Sequence, residues 1–193
     1  MKPIITLFTA VLLSQAIMAQ TTLIPDANFE QALIDQGYDT GTPDGSVPTA
    51  NISGVTNLYI TWENISDLTG IEDFAALTIL ACDNNPINFL DLSNNTGLIE
   101  LRCGNNQLTS LDVSNNTALT ILGCGNNQLT SLDVSNNTAL TSLDCGGNQL
   151  TSLDVSNSTA LWYLACDSNQ LTSLDISNNT ALWYLACDSN QLT

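Results

Sequence analysis

The sequence predicts a β-rich repeat solenoid, with a parallel ladder of short strands on one face and a small helical cap at its N-terminal end. Three observations carry this. From Leu77 onward the chain repeats itself every 21 residues, a period that marks stacked supersecondary units. Within each unit apolar residues fall two apart, as in Leu101 and Cys103 or Leu111 and Val113, the spacing of one face of an extended segment. The stretch before Val55 lacks the repeat and carries helix signals instead. A single unit cannot bury its own leucines, but a stack makes one continuous apolar column.

Residues 1–19 read as a signal peptide. Met1-Lys2 supplies a positive start, Ile4 to Leu13 is a short apolar run, and Ala16-Ile17-Met18-Ala19 offers a cut before Gln20. The run is too short to span a bilayer, and no later stretch exceeds it. Export is the expectation.

Residues 20–54 read as the N-terminal cap. Asp26 suits the N-cap of a helix on which Phe29, Ala32 and Leu33 share one face. Gly37 suits its end. Asp39 to Ser46 reads as loop and Val47 to Ile52 as extended chain. Laid over the first coil, such a helix would shield its apolar end from water.

Residues 55–193 are the repeats. A divergent unit spans 55–76, with Leu58, Ile60, Ile65 and Leu68 in the apolar slots. Units then start at Leu77, Leu98, Leu119, Leu140, Leu161 and Leu182, each opening L-x-x-L-x-C-x-x-N. Ala160 to Thr172 and Ala181 to Thr193 are identical, and the last unit is incomplete. An open column would expose leucines and a strand edge, so a fragment of a longer gene product is one reading of this sequence.

This pattern resembles the leucine-rich repeat family, and its Cys-bearing 21-residue form is similar to the internalin-type repeats of secreted bacterial surface proteins. The resemblance implies a right-handed superhelix with the parallel ladder on its concave face. It also implies secretion or display at a bacterial cell surface.

Composition excludes much. The 193 residues include 19 acidic and 2 basic side chains and no His, for a net charge of −17. Removal of the leader would leave Arg102 as the only base. Nucleic acid and anionic membranes are excluded as partners, because phosphate contacts need Lys and Arg. Without His, Ser-His-Asp triads and His-ligated zinc are excluded too. Nothing here suggests an enzyme.

Three side-chain ladders run through the repeats. Cys82, Cys103, Cys124, Cys145, Cys166 and Cys187 stand 21 apart. Stacked in register, their Cβ atoms lie about 4.8 Å apart and point the same way, whereas a disulfide wants about 3.8 Å and facing vectors. Ile60 fills this slot in the first unit, so buried free thiols are expected rather than disulfides or a metal cluster. Asn85, Asn106, Asn127, Asn148, Asn169 and Asn190 are expected to satisfy turn backbone between coils. Asp91, Asp112, Asp133, Asp154 and Asp175 form an outward row whose members repel. Either hydrogen bonds from the following turn, such as Ser114 or Asn115, compensate this row, or calcium does, with Asp112, Asp133 and Asp154 as its ligands. No other cofactor is expected. Asp39 and Asp44 beside Gly45 only faintly suggest a calcium loop, since no Glu closes it. An outward Thr row at Thr109, Thr130, Thr151, Thr172 and Thr193 is flanked by Ser and Asp, unlike a flat ice-binding array.

Variation is concentrated at the strand positions between the inward Leu and Cys. Glu100 and Arg102, Ser142 and Asp144, Tyr163 and Asp167, and Tyr184 and Asp188 are the candidate contacts on the concave face. Trp162 and Trp183 precede the two tyrosines. Aromatics beside carboxylates suit a protein hot spot or the face of a sugar, and they also suit a simple covering of the sheet rim. Glu100 and Arg102 read as an internal pair. The function expected is an exported, non-catalytic binding or adhesion scaffold for a protein or glycan. The alternative is a calcium-stabilised structural or surface-assembly element.

Overall fold

A computed structural model of the chain describes residues 20–193; the signal-peptide reading lies outside the described residues. Seven short parallel strands form one sheet in strict sequence order, one strand per coil. They are β3 (Asn57–Tyr59), β4 (Ile79–Ala81), β5 (Glu100–Arg102), β6 (Ile121–Gly123), β7 (Ser142–Asp144), β8 (Tyr163–Ala165) and β9 (Tyr184–Ala186). The register is fixed, with Leu80, Leu101, Leu122, Leu143 and Leu164 side by side and fully buried. Six inter-strand steps of about 4.8 Å give a ladder of roughly 29 Å.

Inter-coil bonding continues past each strand. Cys103 N–H donates to Gly123 O at 2.8 Å and Asn105 N–H to Gly125 O at 2.9 Å. The chain then turns back along a return wall, where Leu108, Leu111 and Val113 point into the same core. That wall carries no strand. Adjacent coils are joined there by single backbone bonds, such as Gln128 N–H to Leu108 O at 2.8 Å, and by asparagine side chains, such as Asn137 Nδ2 to Val113 O, rather than by a second sheet.

The chain must reverse direction twice in each short coil. The reversal after Cys is made by one residue with positive φ: Asn84, Asn105, Asn126, Gly147, Ser168 and Ser189 all lie between 52° and 65°. Asn and Gly enter this left-handed region most readily, which accounts for the Asn-Asn and Gly-Asn pairs in the repeat.

The N-terminal segment forms two strands and two helices: β1 (Thr21–Leu23), α1 (Ala27–Asp35), β2 (Ser46–Pro48) and α2 (Thr49–Ile52). Asp26 caps α1 by accepting from the N–H groups of Asn28 and Phe29, and Phe29, Ala32 and Leu33 are buried. Phe29 stacks on Phe74 of the first coil at 6.2 Å. Tyr38 N–H closes the helix on Leu33 O, with Gly37 at φ 80° between them. Two details differ from expectation. Val47 to Ile52 is not one extended run: the strand ends at Pro48 and Thr49 to Ile52 is a helical turn. Proline restrains the residue before it to extended conformations, and its own fixed φ suits the start of a turn. The other is β1, which pairs antiparallel with β2.

The loop preceding β2 is organised by a buried carboxylate. Glu30 is 1% exposed, and its two oxygens accept from the N–H groups of Asp44 and Gly45 at 2.6 and 2.7 Å. Asp44 in turn accepts from Ser46. Sequence reasoning placed Asp39 and Asp44 in a possible loop motif and missed Glu30, which sits 14 residues away from the groups it binds.

Candidate functional site: the strand face

Strand alternation points Leu101 inward and leaves Glu100 and Arg102 on the sheet surface, and the same holds coil by coil. Arg102 Nε lies 2.6 Å from Glu100 Oε1. Ser142 is half-buried, Asp144 exposed, and Ala81 and Ala165 are buried at the equivalent surface row. The variable row is therefore uneven, with small residues in some coils and long ones in others.

At the C-terminal end the surface becomes aromatic. Tyr163 and Tyr184 stack with ring centroids 4.6 Å apart and planes 4° from parallel. The spacing is that of adjacent strands, so in-register pairing of β8 with β9 sets the stack directly. Trp162 and Trp183 lie beside them, 6.5 Å apart and tilted by 40°. Trp183 is 83% exposed and Tyr184 41%. Asp167 and Asp188 follow on the same coils, half-buried and exposed respectively.

Between the aromatic end and the Glu100–Arg102 pair the surface is floored by Gly104, Gly123, Gly125 and Gly146. At two of them an added Cβ would displace a carboxylate: on Gly125 it would fall 2.9 Å from Asp144 Oδ1, and on Gly146 2.8 Å from Asp167 Oδ1, whereas Gly123 has room for one. Asp83 Oδ1 accepts from Gly104 N–H at 2.8 Å, and Asp144 Oδ1 from Gly146 N–H at 3.1 Å. Although Asp144 as a residue lies on the surface, neighbouring groups partly desolvate its carboxyl and that of Asp83, pushing both above the usual range, and at Asp144 the nearby Asp167 and Asp83 add to the rise.

The cysteine ladder lies directly beneath. Cys82, Cys103, Cys124, Cys145 and Cys166 are free and buried, and Cys187 is free and half-buried. Burial pushes the five buried thiols well above the usual range, Cys166 to about 12. A thiolate at these positions is suppressed, and with it nucleophilic chemistry. The asparagines of the first ladder are fully bonded. Asn106 Nδ2 donates to Cys82, Cys103 and Gly104 carbonyls, and its Oδ1 accepts from Ile87 N–H. The pattern is the same at Asn85, Asn127, Asn148, Asn169 and Asn190.

On the return wall every aspartate of the outward row is exposed and accepts from a serine two residues on: Asp91 from Ser93, Asp112 from Ser114, Asp133 from Ser135, Asp154 from Ser156 and Asp175 from Ser177, each at 2.9 Å. These bonds hold the carboxyls below their usual range. Among the described residues no group of three or more acidic or Cys side chains is arranged to hold a metal ion.

Sequence reasoning missed a second buried ladder. Asn95, Asn116, Asn137 and Asn179, with Ser158 in the same slot, are nearly inaccessible. Asn137 Nδ2 donates to Val113 O and Asn116 O at 3.0 and 2.9 Å. The signal was the first Asn before each Thr-x-Leu or Gly-Leu, repeating every 21 residues.

One strand per coil, an in-register apolar column and a turn asparagine in each unit together define a leucine-rich repeat solenoid. The chain has the leucine-rich repeat fold, and it is similar to solved structures of that fold. InlJ of Listeria monocytogenes, whose functional domain includes a cysteine ladder, is 31% identical over 91% of this chain and 54% of that one, with a TM-score of 0.57. A leucine-rich repeat protein of Leptospira interrogans is 25% identical over 76% of this chain and 41% of that one, at 0.66. Internalin C2 of Listeria monocytogenes shares the fold, with 24% identity, 91% and 81% coverage and a TM-score of 0.74. The chain thus spans about half the length of the first two. A family model for the LVIVD repeat, a different repeat, matches residues 162–185, from β8 into β9. No curated protein matches the sequence. Among the described residues no helix is long and apolar enough to cross a membrane.

Proposed function

We propose that this chain is an exported, non-catalytic recognition or adhesion scaffold whose concave strand face takes a protein or glycan partner. The observation that supports it most is the Tyr163–Tyr184 stack, a partly exposed aromatic platform next to Asp167 and Asp188. Stacked rings lose little rotamer freedom on binding and present a large contact area. Asp144 and the glycine floor continue the same face toward Arg102. The buried thiols beneath it are held protonated, and the sequence supplies no His to serve as a general base.

Pull-downs and glycan arrays with the unmodified chain will identify the partner. The double substitution Tyr163→Ala with Tyr184→Ala is expected to weaken its binding at least about tenfold while leaving the fold intact. Thr130→Ala with Thr151→Ala, on exposed return-wall positions, is expected to leave it unchanged. The opposite result would remove the concave-face assignment. It would favour the second reading, a calcium-stabilised surface-assembly element, which rests on the exposed row Asp91 to Asp175.

A further inference from the structure

We infer that the return wall around Phe89 is a second docking surface, and that its occupant is a protein segment carrying apolar side chains flanked by Lys or Arg. This surface is separate from the strand face and does not depend on that reading.

Phe89 is 68% exposed. The repeat places Ser110, Ser131, Ser152 and Ser173 at the same position in the following coils, and Asp67 in the preceding one. The coil therefore folds with a small polar residue there. An exposed phenyl ring at this one rung is not required by the packing.

Phe89 stands between two open grooves. Leu90 contributes to the floor of both, joined by Leu92 in one groove and by Leu68 and Ile71 in the other. The rims are acidic: Asp91 and Asp112 line the first groove, Asp67, Glu72 and Asp91 the second. Each carboxylate is held by its own turn through one oxygen. Asp67 Oδ1 accepts from Thr69, Asp91 Oδ1 from Ser93, Asp112 Oδ1 from Ser114, and Glu72 Oε2 from Gly70. The other oxygen of each has no hydrogen-bond partner among the described residues and is free for an incoming donor.

Charge selects the occupant. The sole basic side chain among the described residues, Arg102, is paired with Glu100 on the strand face. A second copy of this chain would bring the same negative charge against the rim, and nucleic acid or an anionic lipid surface would be repelled likewise. A neutral sugar could cover the ring but would leave four carboxylates uncompensated. An apolar side chain laid against Phe89, with cationic neighbours reaching Asp67, Asp91 and Asp112, satisfies both the ring and the rim.

The test uses a fluorescein-labelled peptide of alternating Lys and Leu, with Lys–Ser and Glu–Leu peptides as controls, read by fluorescence anisotropy at physiological salt. Phe89→Ser repeats what the other coils already carry, so its melting temperature and net charge should match the unmodified chain. It is expected to weaken Lys–Leu binding about tenfold, with Phe89→Leu retaining most of it. Asp91→Asn with Asp112→Asn keeps an acceptor for each serine and is expected to weaken binding several-fold. The proposal is overturned if Phe89→Ser binds Lys–Leu as tightly as the unmodified chain. Equal binding of Lys–Ser and Lys–Leu would also overturn it, since charge alone would then suffice. So would loss of Lys–Leu binding in the Tyr163→Ala, Tyr184→Ala chain with none in Phe89→Ser, which would move that peptide to the strand face.

Discussion

Asp26 joins two parts of the molecule: its Oδ2 accepts from the backbone N–H of Ser66 at 2.8 Å while its Oδ1 caps α1. The residues are 40 apart in sequence, and the same Oδ2 also takes the Ser66 hydroxyl and the Asp67 N–H. One carboxylate thus starts the cap helix and fastens it to the first coil. Partial burial works against its ionisation, but the bonds from Ser66, Phe29 and Asn28 outweigh that and hold the carboxyl below its usual range.

Two substitutions separate these roles. Asp26→Asn keeps an oxygen for the helix cap but turns an NH2 toward Ser66, and should cost about 1.5–3 kcal/mol by urea unfolding. Asp26→Ala should cost about 1 kcal/mol more, the usual value of an N-cap. The lowered folded pKa means that the stability from Asp26 is complete above the unfolded value, near 4, and is lost as pH falls through the folded one. Both variants should therefore lose less stability than the unmodified chain on acidification below about pH 4.

Ser158 interrupts the second asparagine ladder. Its hydroxyl is buried without a partner, and the Val134 and Asn137 carbonyls lack the amide that Asn137 supplies to Val113 and Asn116 one coil earlier. Ser158→Asn should restore two hydrogen bonds but leave its Oδ1 buried without a partner, as at Asn137, and should stabilise the chain by no more than about 1 kcal/mol. A fall in the unfolding midpoint would show that the slot cannot take the larger side chain.

The thiols make a graded prediction. Iodoacetamide at neutral pH should modify the half-buried Cys187 first and spare the five buried thiols until the chain unfolds. Cys124→Ala leaves a small void and Cys124→Leu overfills a packed column, each costing about 1–3 kcal/mol. Three disulfides found by mass spectrometry of the native chain would refute the ladder of free thiols.

Asp144 titrates in the opposite sense to Asp26. Its folded pKa is raised, so the folded chain takes up this proton before the unfolded one does. The destabilisation is fully present above the raised value and disappears as pH falls toward the unfolded one. Asp144→Asn keeps an oxygen for Gly146 N–H. It should raise the melting temperature at pH 7 and reduce the gain in stability between neutral and mildly acid pH.

Calcium gives the last prediction. Because each outward aspartate is already bonded to a serine two residues on, millimolar calcium should raise the melting temperature no more than sodium chloride of equal ionic strength. Both salts should raise it, by screening the repulsion along the acidic column. A specific calcium shift would establish the assembly reading's ion.

The cap shows where sequence reading stops. Asp26 as N-cap and Phe29, Ala32 and Leu33 as the buried face were legible, because capping and helical periodicity are local rules. The bonds from Asp26 to Ser66 and from Glu30 to Gly45 were not, since nothing local says which distant backbone a second carboxylate oxygen will meet. Likewise Thr49 to Ile52 suits extended chain as well as a helical turn, because its residues fit either state until β1 takes up Ser46 to Pro48 as its partner.

By itself the sequence determined the solenoid, its 21-residue coil and the inward columns of Leu and Cys. Repetition turns each local preference into a long-range one, so a residue's neighbour in space is the same letter one period away. Only the tertiary structure decided what happens where the letters differ. The 4.6 Å stack of Tyr163 on Tyr184, the glycine floor beside Asp144 and the exposed ring of Phe89 all depend on how unlike side chains of adjacent coils share the surface. No periodicity specifies that arrangement, because it is set by the shapes and charges that meet across each inter-coil step.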